Sequence, residues 1–148
     1  RITIKYHINL SWFKINVSQT PSSQKKVLLT HLDWNVQRLD EALKQESTDY
    51  FKGAALQRFG HTYTMAIKCI RGFENPLEED DKTNDERYIE MAIQNGWTED
   101  PTQWLKMIVD YKHINQKPKK QETEAVYQKL PRYQQAFKSL YFNLKNLI

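Results

Sequence analysis

The sequence predicts an all-α protein, and three features of its 148 residues lead to that fold class. Over most of the chain, apolar residues recur at spacings of three and four, which is the period of an amphipathic helix. Only four glycines are present, too few for the many special-angle turns of a sandwich or barrel. Apolar residues make up 39% and aromatic residues 12%, which is enough for one domain of this length to pack a core.

The first 24 residues are expected to lie outside the helical domain. Between residues 2 and 12, apolar side chains alternate with mostly polar ones, which is the two-residue period of a strand. Residues 16–24 (NVSQTPSSQ) are polar and typical of a linker. We therefore expect an irregular or strand-like arm and linker over 1–24, followed by a helical domain over 25–148.

Caps and helix breakers divide the helical domain into five predicted helices, which together favour an up-and-down four-helix bundle with a short extra helix. Pro131, within the last helix, should kink it or mark a break near Leu130. The second helix is bounded by Ser47 or Thr48 before it and by Asn75-Pro76 after it. The short third helix begins at a capping box of Thr83 with Glu86 and ends at Gly96. Asp100-Pro101 precedes the fourth helix, and Pro118 lies beyond its end.

The apolar stripe of each helix is expected to face the core. Cys69 is the only cysteine and lies within one of these stripes, so it is interpreted as a small core residue rather than a nucleophile. The stripes are Val27, Leu28, Leu32, Trp34, Val36, Leu39 and Leu43 in the first helix; Ala55, Leu56, Phe59, Tyr63, Ala66, Ile67, Ile70 and Phe73 in the second; Tyr88, Ile89 and Ala92 in the third; Trp104, Leu105, Ile108 and Val109 in the fourth; and Val126, Leu130, Tyr133, Phe137, Leu140, Leu144 and Leu147 in the fifth.

The net charge of +4 is distributed unevenly along the chain. Residues 74–100 hold ten acidic residues against two basic ones, whereas residues 111–148 hold eight basic residues against two acidic ones. Such a division can steer a charged partner or favour head-to-tail contacts between subunits. Two solvated faces are the simpler interpretation.

Common enzyme and targeting signals are absent from the sequence. There is no Gly-rich phosphate loop, no His-Glu-x-x-His and no Gly-x-Ser-x-Gly. None of the four histidines has a second histidine or cysteine at helical ligand spacing, so no metal site and no cofactor are expected. No apolar stretch approaches the roughly 20 residues that span a membrane, and no signal-peptide pattern begins the chain. A cytoplasmic location is therefore expected.

Two segments resemble the nucleotidyltransferase substrate-binding proteins, a family of the HEPN-like superfamily. Residues 57–68 (QRFGHTYTMAIK) resemble that family's "RFE-aromatic-TFELAWK" helix. Its "R-x-x-I-x-x-A-x-x-x-G" helix is resembled by Arg87, Ile89, Ala92 and Gly96, and its tryptophan-bearing fourth helix by Trp104 and Met107. The resemblance extends over about residues 25–147. It implies a helical bundle, usually a homodimer, that is encoded beside a small nucleotidyltransferase and binds it as a toxin–antitoxin-like pair.

Many HEPN proteins are metal-independent ribonucleases whose motif is Arg, four to six residues, then His at the end of the fourth helix. The histidine handles a proton and the arginine stabilises phosphate charge. In this chain Tyr111 lies where the arginine is expected, Gln116 where the histidine is expected, and Pro118 where some relatives have a tyrosine. The resemblance therefore predicts a degenerate motif and a non-catalytic binding subunit.

Six residues are predicted to bind the partner or substrate: Arg58, His61, Lys68, Trp104, Lys112 and His113. Simpler interpretations remain open, since Lys68 can be merely exposed, Trp104 can be a core residue and His61 can be structural. His113 also complements the dipole at a helix C-terminus. The alternatives are a ribonuclease with a reworked site at Lys112 and His113, and an RNA- or nucleotide-binding module that uses the basic loop residues Lys112, Lys117, Lys119 and Lys120.

Overall fold

The computed structural model describes residues 21–74 and 84–148, which form five α-helices. They are α1 (Pro21–Leu43), α2 (Asp49–Phe73), α3 (Asp85–Gln94), α4 (Pro101–Ile114) and α5 (Lys120–Lys145). No strand occurs in these two ranges, so the all-α prediction is confirmed there. None of the five helices is both long and apolar enough to cross a membrane. The alternating segment 2–12 lies outside the described residues.

Two predicted boundaries are wrong. Helix α1 begins at Pro21 rather than at residue 25, so residues 21–24 are helical and do not belong to a linker. Proline fits the first turn of a helix because that turn has no intrahelical partner for a backbone N–H. Helix α3 is capped by Asn84 rather than Thr83, since the Asn84 side chain accepts a hydrogen bond from the backbone N of Arg87.

The signals at Thr48, Gly96 and Asp100 are confirmed, whereas Asn75-Pro76 lies outside the described residues. Thr48 caps α2 by accepting a hydrogen bond from the backbone N of Phe51 at 3.3 Å. Gly96 has φ +74 and follows the last turn of α3, where its backbone N bonds to the carbonyl of Ile93. Asp100 caps α4 by accepting a hydrogen bond from the backbone N of Gln103 at 3.1 Å. No break occurs at Leu130, because α5 continues through Pro131. Burial of Leu130 on one side of that proline offsets the missing backbone hydrogen bond.

Helices α1 and α2 form an antiparallel pair. The Thr62 hydroxyl of α2 donates to the Asn35 carbonyl of α1 at 3.2 Å, and one end of the pair is joined where the Cys69 thiol donates to the Leu28 carbonyl at 3.3 Å. Burial raises the pKa of Cys69 to about 12, so this thiol is unreactive and its predicted core role is confirmed. A Cβ on Gly72 would meet a methyl carbon of Leu28, so an alanine there would require that side chain to move.

Helix α5 packs against α1, α2 and α4. It runs parallel to α2, since Lys52 pairs with Glu124 and, further along both helices, the Phe59 ring stacks on Tyr133. Helix α4 packs against α3 and α5 and is joined to α5 by an edge-on contact between Trp104 and Phe137.

The apolar stripes of α2 and α3 are buried or partly buried as predicted, whereas the predictions hold for five of seven residues in α1 and for two of four in α4. In α1, Leu29 is buried while Val27 and Trp34 are each 51% exposed. In α4, Met107 is buried and Leu105 and Val109 are exposed. Leu147, predicted to continue the α5 stripe, is also exposed. Several apolar faces were available on α1 and α4, and only packing against the neighbouring helices selects one of them.

Replacing two glycines of α2 with alanine should have opposite consequences. Around Gly53 no atom lies within 4 Å of an added Cβ, so Gly53→Ala should raise the free energy of unfolding by about 0.5–1 kcal/mol through helix propensity. Gly72→Ala requires the end of the Leu28 side chain to move, so this variant should be less stable than Gly53→Ala, by up to about 1 kcal/mol. Urea denaturation measures both variants. Equal stabilisation would show that the Leu28 side chain moves aside without a cost.

Candidate functional site

A groove of about 580 Å³ lies between α2 and the end of α4. Two of its α2 residues, Gly53 and Gly60, are seven apart and share a helix face, where their missing side chains leave space. A Cβ on Gly60 would make ordinary contacts, 3.8 Å from the Tyr111 ring and 3.9 Å from an Ile114 methyl. The α2–α4 groove is lined by Gly53, Leu56, Gln57, Gly60, His61, Thr64, Tyr111, Ile114, Asn115 and Thr123.

Tyr111 forms one wall of the α2–α4 groove. Its ring stacks on Tyr63 with centroids 4.3 Å apart, and its hydroxyl lies 3.2 Å from that of Thr64. Tyr111 therefore presents a phenol ring and its hydroxyl to the groove. The lining contains no lysine, arginine, aspartate or glutamate, and His61 is its only basic side chain. The groove offers hydroxyl and amide hydrogen bonds but no permanent charge for a phosphate.

Tyr63 links the groove wall to α3. Its hydroxyl donates to Asp85 in the first turn of α3 at 2.8 Å. Burial, and then the neighbouring Asp85 carboxylate, raises the pKa of Tyr63 well above its usual value, so the phenol remains a donor. The carboxylate is also well placed beside the helix N-terminus.

Asp110 is a buried carboxylate that holds α4 against α5. It accepts hydrogen bonds from the Tyr133 hydroxyl and, at 3.1 Å, from the Lys129 ammonium. Burial and the bond to Asp110 raise the pKa of Tyr133 far above its usual value. This cluster was not predicted. The available signal was the position of Asp110 three residues after Met107, on the face of α4 that becomes buried.

The chain between α4 and α5 is held by a side-chain pair. The imidazole of His113 bonds to the carboxylate of Glu122, which also accepts from the backbone N of Lys119 at 3.2 Å. The bond from His113, followed by that from Lys119, lowers the pKa of Glu122. His113 therefore has a structural partner in addition to its favourable position at the end of α4.

The basic loop is partly neutralised by neighbouring acids. Lys120 lies 3.3 Å from Asp49 at the start of α2, across a second groove. The other candidates for binding RNA from this loop, Lys112, Lys117 and Lys119, are exposed.

The predicted contact residues occupy different surfaces. Arg58, His61 and Lys68 follow one side of α2, where His61 also lines the α2–α4 groove and the guanidinium carbon of Arg58 lies 5.6 Å from the Trp34 ring, whereas Lys112 and His113 lie at the end of α4. Trp104 is fully buried and its indole N–H donates to the Thr98 hydroxyl at 2.8 Å. For Trp104 the core interpretation therefore holds, and the indole cannot contact a partner in this structure.

The three positions that were predicted to form a degenerate motif do not converge. Tyr111 faces the α2–α4 groove, Gln116 is exposed in the turn after α4, and Pro118 lines the second groove. Lys112 and His113 are both exposed, and neither lines the α2–α4 groove. Sequence reasoning did not select the groove's polar residues Gln57, Asn115 and Thr123. Thr123 was missed because nothing in the chain order indicates that the start of α5 meets α2. Across residues 21–74 and 84–148, no cluster of three His, Cys, Asp or Glu side chains could hold a metal ion.

A family model described as "Nucleotidyltransferase substrate binding protein like" matches residues 28–146. The match covers all of α2, α3, α4 and α5 and the last 16 of the 23 residues of α1. No curated protein and no solved structure gives a significant match to the chain.

Removing the buried carboxylate of α4 should destabilise the fold. Asp110→Ala leaves Tyr133 and Lys129 without their acceptor, so we expect the free energy of unfolding to fall by about 2–3 kcal/mol. The matched control is Glu90→Ala, which removes an exposed carboxylate 3.9 Å from Arg87 and should cost about 0.5 kcal/mol or less. Urea denaturation compares the two variants. Equal losses would contradict the role of Asp110.

Acid should weaken the junction between α4 and α5 through Glu122. Because the folded pKa of Glu122 is lowered, its contribution to stability is complete above its usual value of 4.5 and is lost as the pH falls through the folded pKa. Glu122→Gln should therefore show a smaller decrease of Tm than the wild type as the pH is lowered below 4.5. His113→Ala should likewise show a smaller decrease of Tm than the wild type as the pH is lowered below 4.5. Parallel Tm curves for all three proteins would contradict this assignment.

Proposed function

The chain belongs to the nucleotidyltransferase substrate binding protein like family, and from that premise we propose that it is a non-catalytic helical subunit that binds a small nucleotidyltransferase or that enzyme's substrate. The family match over residues 28–146 is the observation that carries this proposal. It includes all of α2 and every residue that lines the two grooves beside it, so these candidate contact surfaces lie within the matched region.

We further infer the arrangement in which this subunit works. Helices α1, α2, α4 and α5 would form an up-and-down four-helix bundle of the HEPN-like type, with α3 as the extra helix and residues 25–148 as one domain. The antiparallel α1–α2 pair and the parallel α2–α5 pair support that topology. The subunit would act in the cytoplasm as a homodimer in a toxin–antitoxin-like pair.

Binding is favoured over catalysis by the positions of the polar groups. Cleavage of RNA needs a proton-transfer group and a charge-stabilising group at one point. The α2–α4 groove has a neutral tyrosine where the motif would have arginine, and its lining provides no fixed charge. Its hydroxyl and amide groups suit recognition of an uncharged polar group of a substrate.

A second candidate function, a metal-independent ribonuclease with a reworked site, rests on one observation. The carboxylate of Glu122 contacts the imidazole of His113, and a carboxylate in that position can orient a general base. Lys112 would then supply the charge for the phosphate. This alternative requires that the purified chain cleave RNA in a metal-chelating buffer and that His113→Ala abolish cleavage. Intact RNA with both proteins would exclude it.

The primary proposal is tested by affinity purification of the tagged chain from its native cells. After ribonuclease treatment of the lysate, which removes RNA-bridged partners, we expect mass spectrometry to identify a small nucleotidyltransferase in about one-to-one amount with the chain, as a specific partner requires. Recovery of RNA without that enzyme from an untreated lysate would favour the nucleic-acid alternative. Recovery of the chain alone would contradict the proposal.

A further inference from the structure

The outer surface of the α1–α2 pair carries two parallel stripes of side chains. On α1 the stripe has the spacing i, i+4, i+7, i+11, and on α2 the spacing i, i+3, i+7, i+10, so each stripe occupies one side of its helix. The bond from Thr62 to the Asn35 carbonyl places the two helices side by side. These stripes, here called the α1–α2 face, consist of Val27, His31, Trp34 and Arg38 on α1 and Arg58, His61, Met65 and Lys68 on α2.

Trp34 lies at the centre of the α1–α2 face. Its side chain is 51% exposed, although tryptophan is among the most costly residues to leave in water. The guanidinium carbon of Arg38 is 5.3 Å from the ring and that of Arg58, from the other helix, is 5.6 Å away. These contacts orient the indole without removing it from solvent. The ring contributes little to the core, so packing of this chain does not explain its presence.

The α1–α2 face is positively charged. Three of its eight residues, Arg38, Arg58 and Lys68, are permanently cationic and none is acidic. Arg38 is already paired with Glu41 at 2.6 Å, so Arg58 and Lys68 are the charges this face presents outward. A surface that matches these residues must therefore carry carboxylates or phosphates.

The residue types of this face favour a protein surface over a nucleic acid. Tryptophan, arginine and methionine are enriched at protein–protein interfaces, and tryptophan and arginine dominate their binding energy. Sites for single-stranded nucleic acid combine a dense line of cations with an open aromatic ring for base stacking. Here only two outward cations accompany apolar Val27 and Met65, and two guanidinium groups already lie against the Trp34 ring.

We propose that the α1–α2 face docks an acidic surface of the nucleotidyltransferase, with Trp34 inserted into an apolar pocket and Arg58 and Lys68 paired with carboxylates around it. This inference rests on the proposed function and adds to it the surface and the chemistry of the contact. It also places the enzyme next to the α2–α4 groove, because His61 belongs to both surfaces.

Calorimetric titration with the nucleotidyltransferase purified alongside the chain tests the proposal. Trp34→Ala should weaken binding about 30-fold, as for a central anchor. Arg58→Glu should weaken it about tenfold or more and make affinity less sensitive to salt. The matched controls lie outside the α1–α2 face: Phe142→Ala, which removes an aromatic ring 63% exposed, and Arg132→Glu, which makes the same charge change on α5. Both controls should bind like the wild type.

Each variant is first checked by circular dichroism and thermal unfolding. Lys68→Glu changes an exposed side chain and tests the same face if Trp34→Ala fails to fold. If Trp34→Ala and Arg58→Glu both bind the nucleotidyltransferase with wild-type affinity, the docking surface is overturned and the proposed function remains intact. Wild-type affinity in Lys68→Glu would have the same meaning. Failure of the wild type to bind any nucleotidyltransferase would overturn both. If light scattering shows that Trp34→Ala converts a dimer to a monomer, a second copy of this chain occupies the face. If Lys68→Glu no longer co-purifies with RNA, a nucleic acid occupies it. Either result overturns the proposal.

Discussion

The packing of this protein depends on buried tyrosines that must keep hydrogen-bond acceptors inside an aromatic core. Phe59 contacts both Tyr133, with ring centroids 5.4 Å apart, and Tyr63, at 6.4 Å. A phenol hydroxyl removed from water without an acceptor is costly, so each ring requires a polar partner from another helix. Asp110 of α4 serves Tyr133, and Asp85 of α3 serves Tyr63. Asp110 thereby fixes α4 against α5, and Asp85 fixes α3 against the centre of α2.

The candidate site follows from that arrangement. Because Tyr63 is held by Asp85, its ring provides a fixed platform on which Tyr111 stacks, and Tyr111 in turn reaches the Thr64 hydroxyl. Beyond this contact the absence of a side chain at Gly60 leaves the α2–α4 groove open. Helix α2 thus uses one side for the core, one for α1 and one for the groove, which is possible because its sides differ in polarity and size along the 3.6-residue period.

The candidate site was only partly predictable from the chain. The segment that resembles the family's second helix includes His61, which does line the groove, and the motif segment includes Tyr111, which forms its wall. Trp104 lies in an equally recognisable segment but is buried against Thr98, because resemblance identifies a position and says nothing about which neighbours enclose it. Asp110 was overlooked because a lone aspartate in an amphipathic helix has the same local pattern whether it is solvated or buried.

The sequence by itself determined the helical class, the five helices, and the caps at Asp100 and Gly96, because helix periodicity and capping depend on residues within one or two turns. It also determined the family, since that assignment depends on an ordered set of residues. Only the tertiary structure decided which sides of α1 and α4 face inward, and so left Trp34 and Val109 in solvent. That choice depends on contacts between residues distant in the chain, such as Asp110 with its α5 partners, which no local pattern specifies.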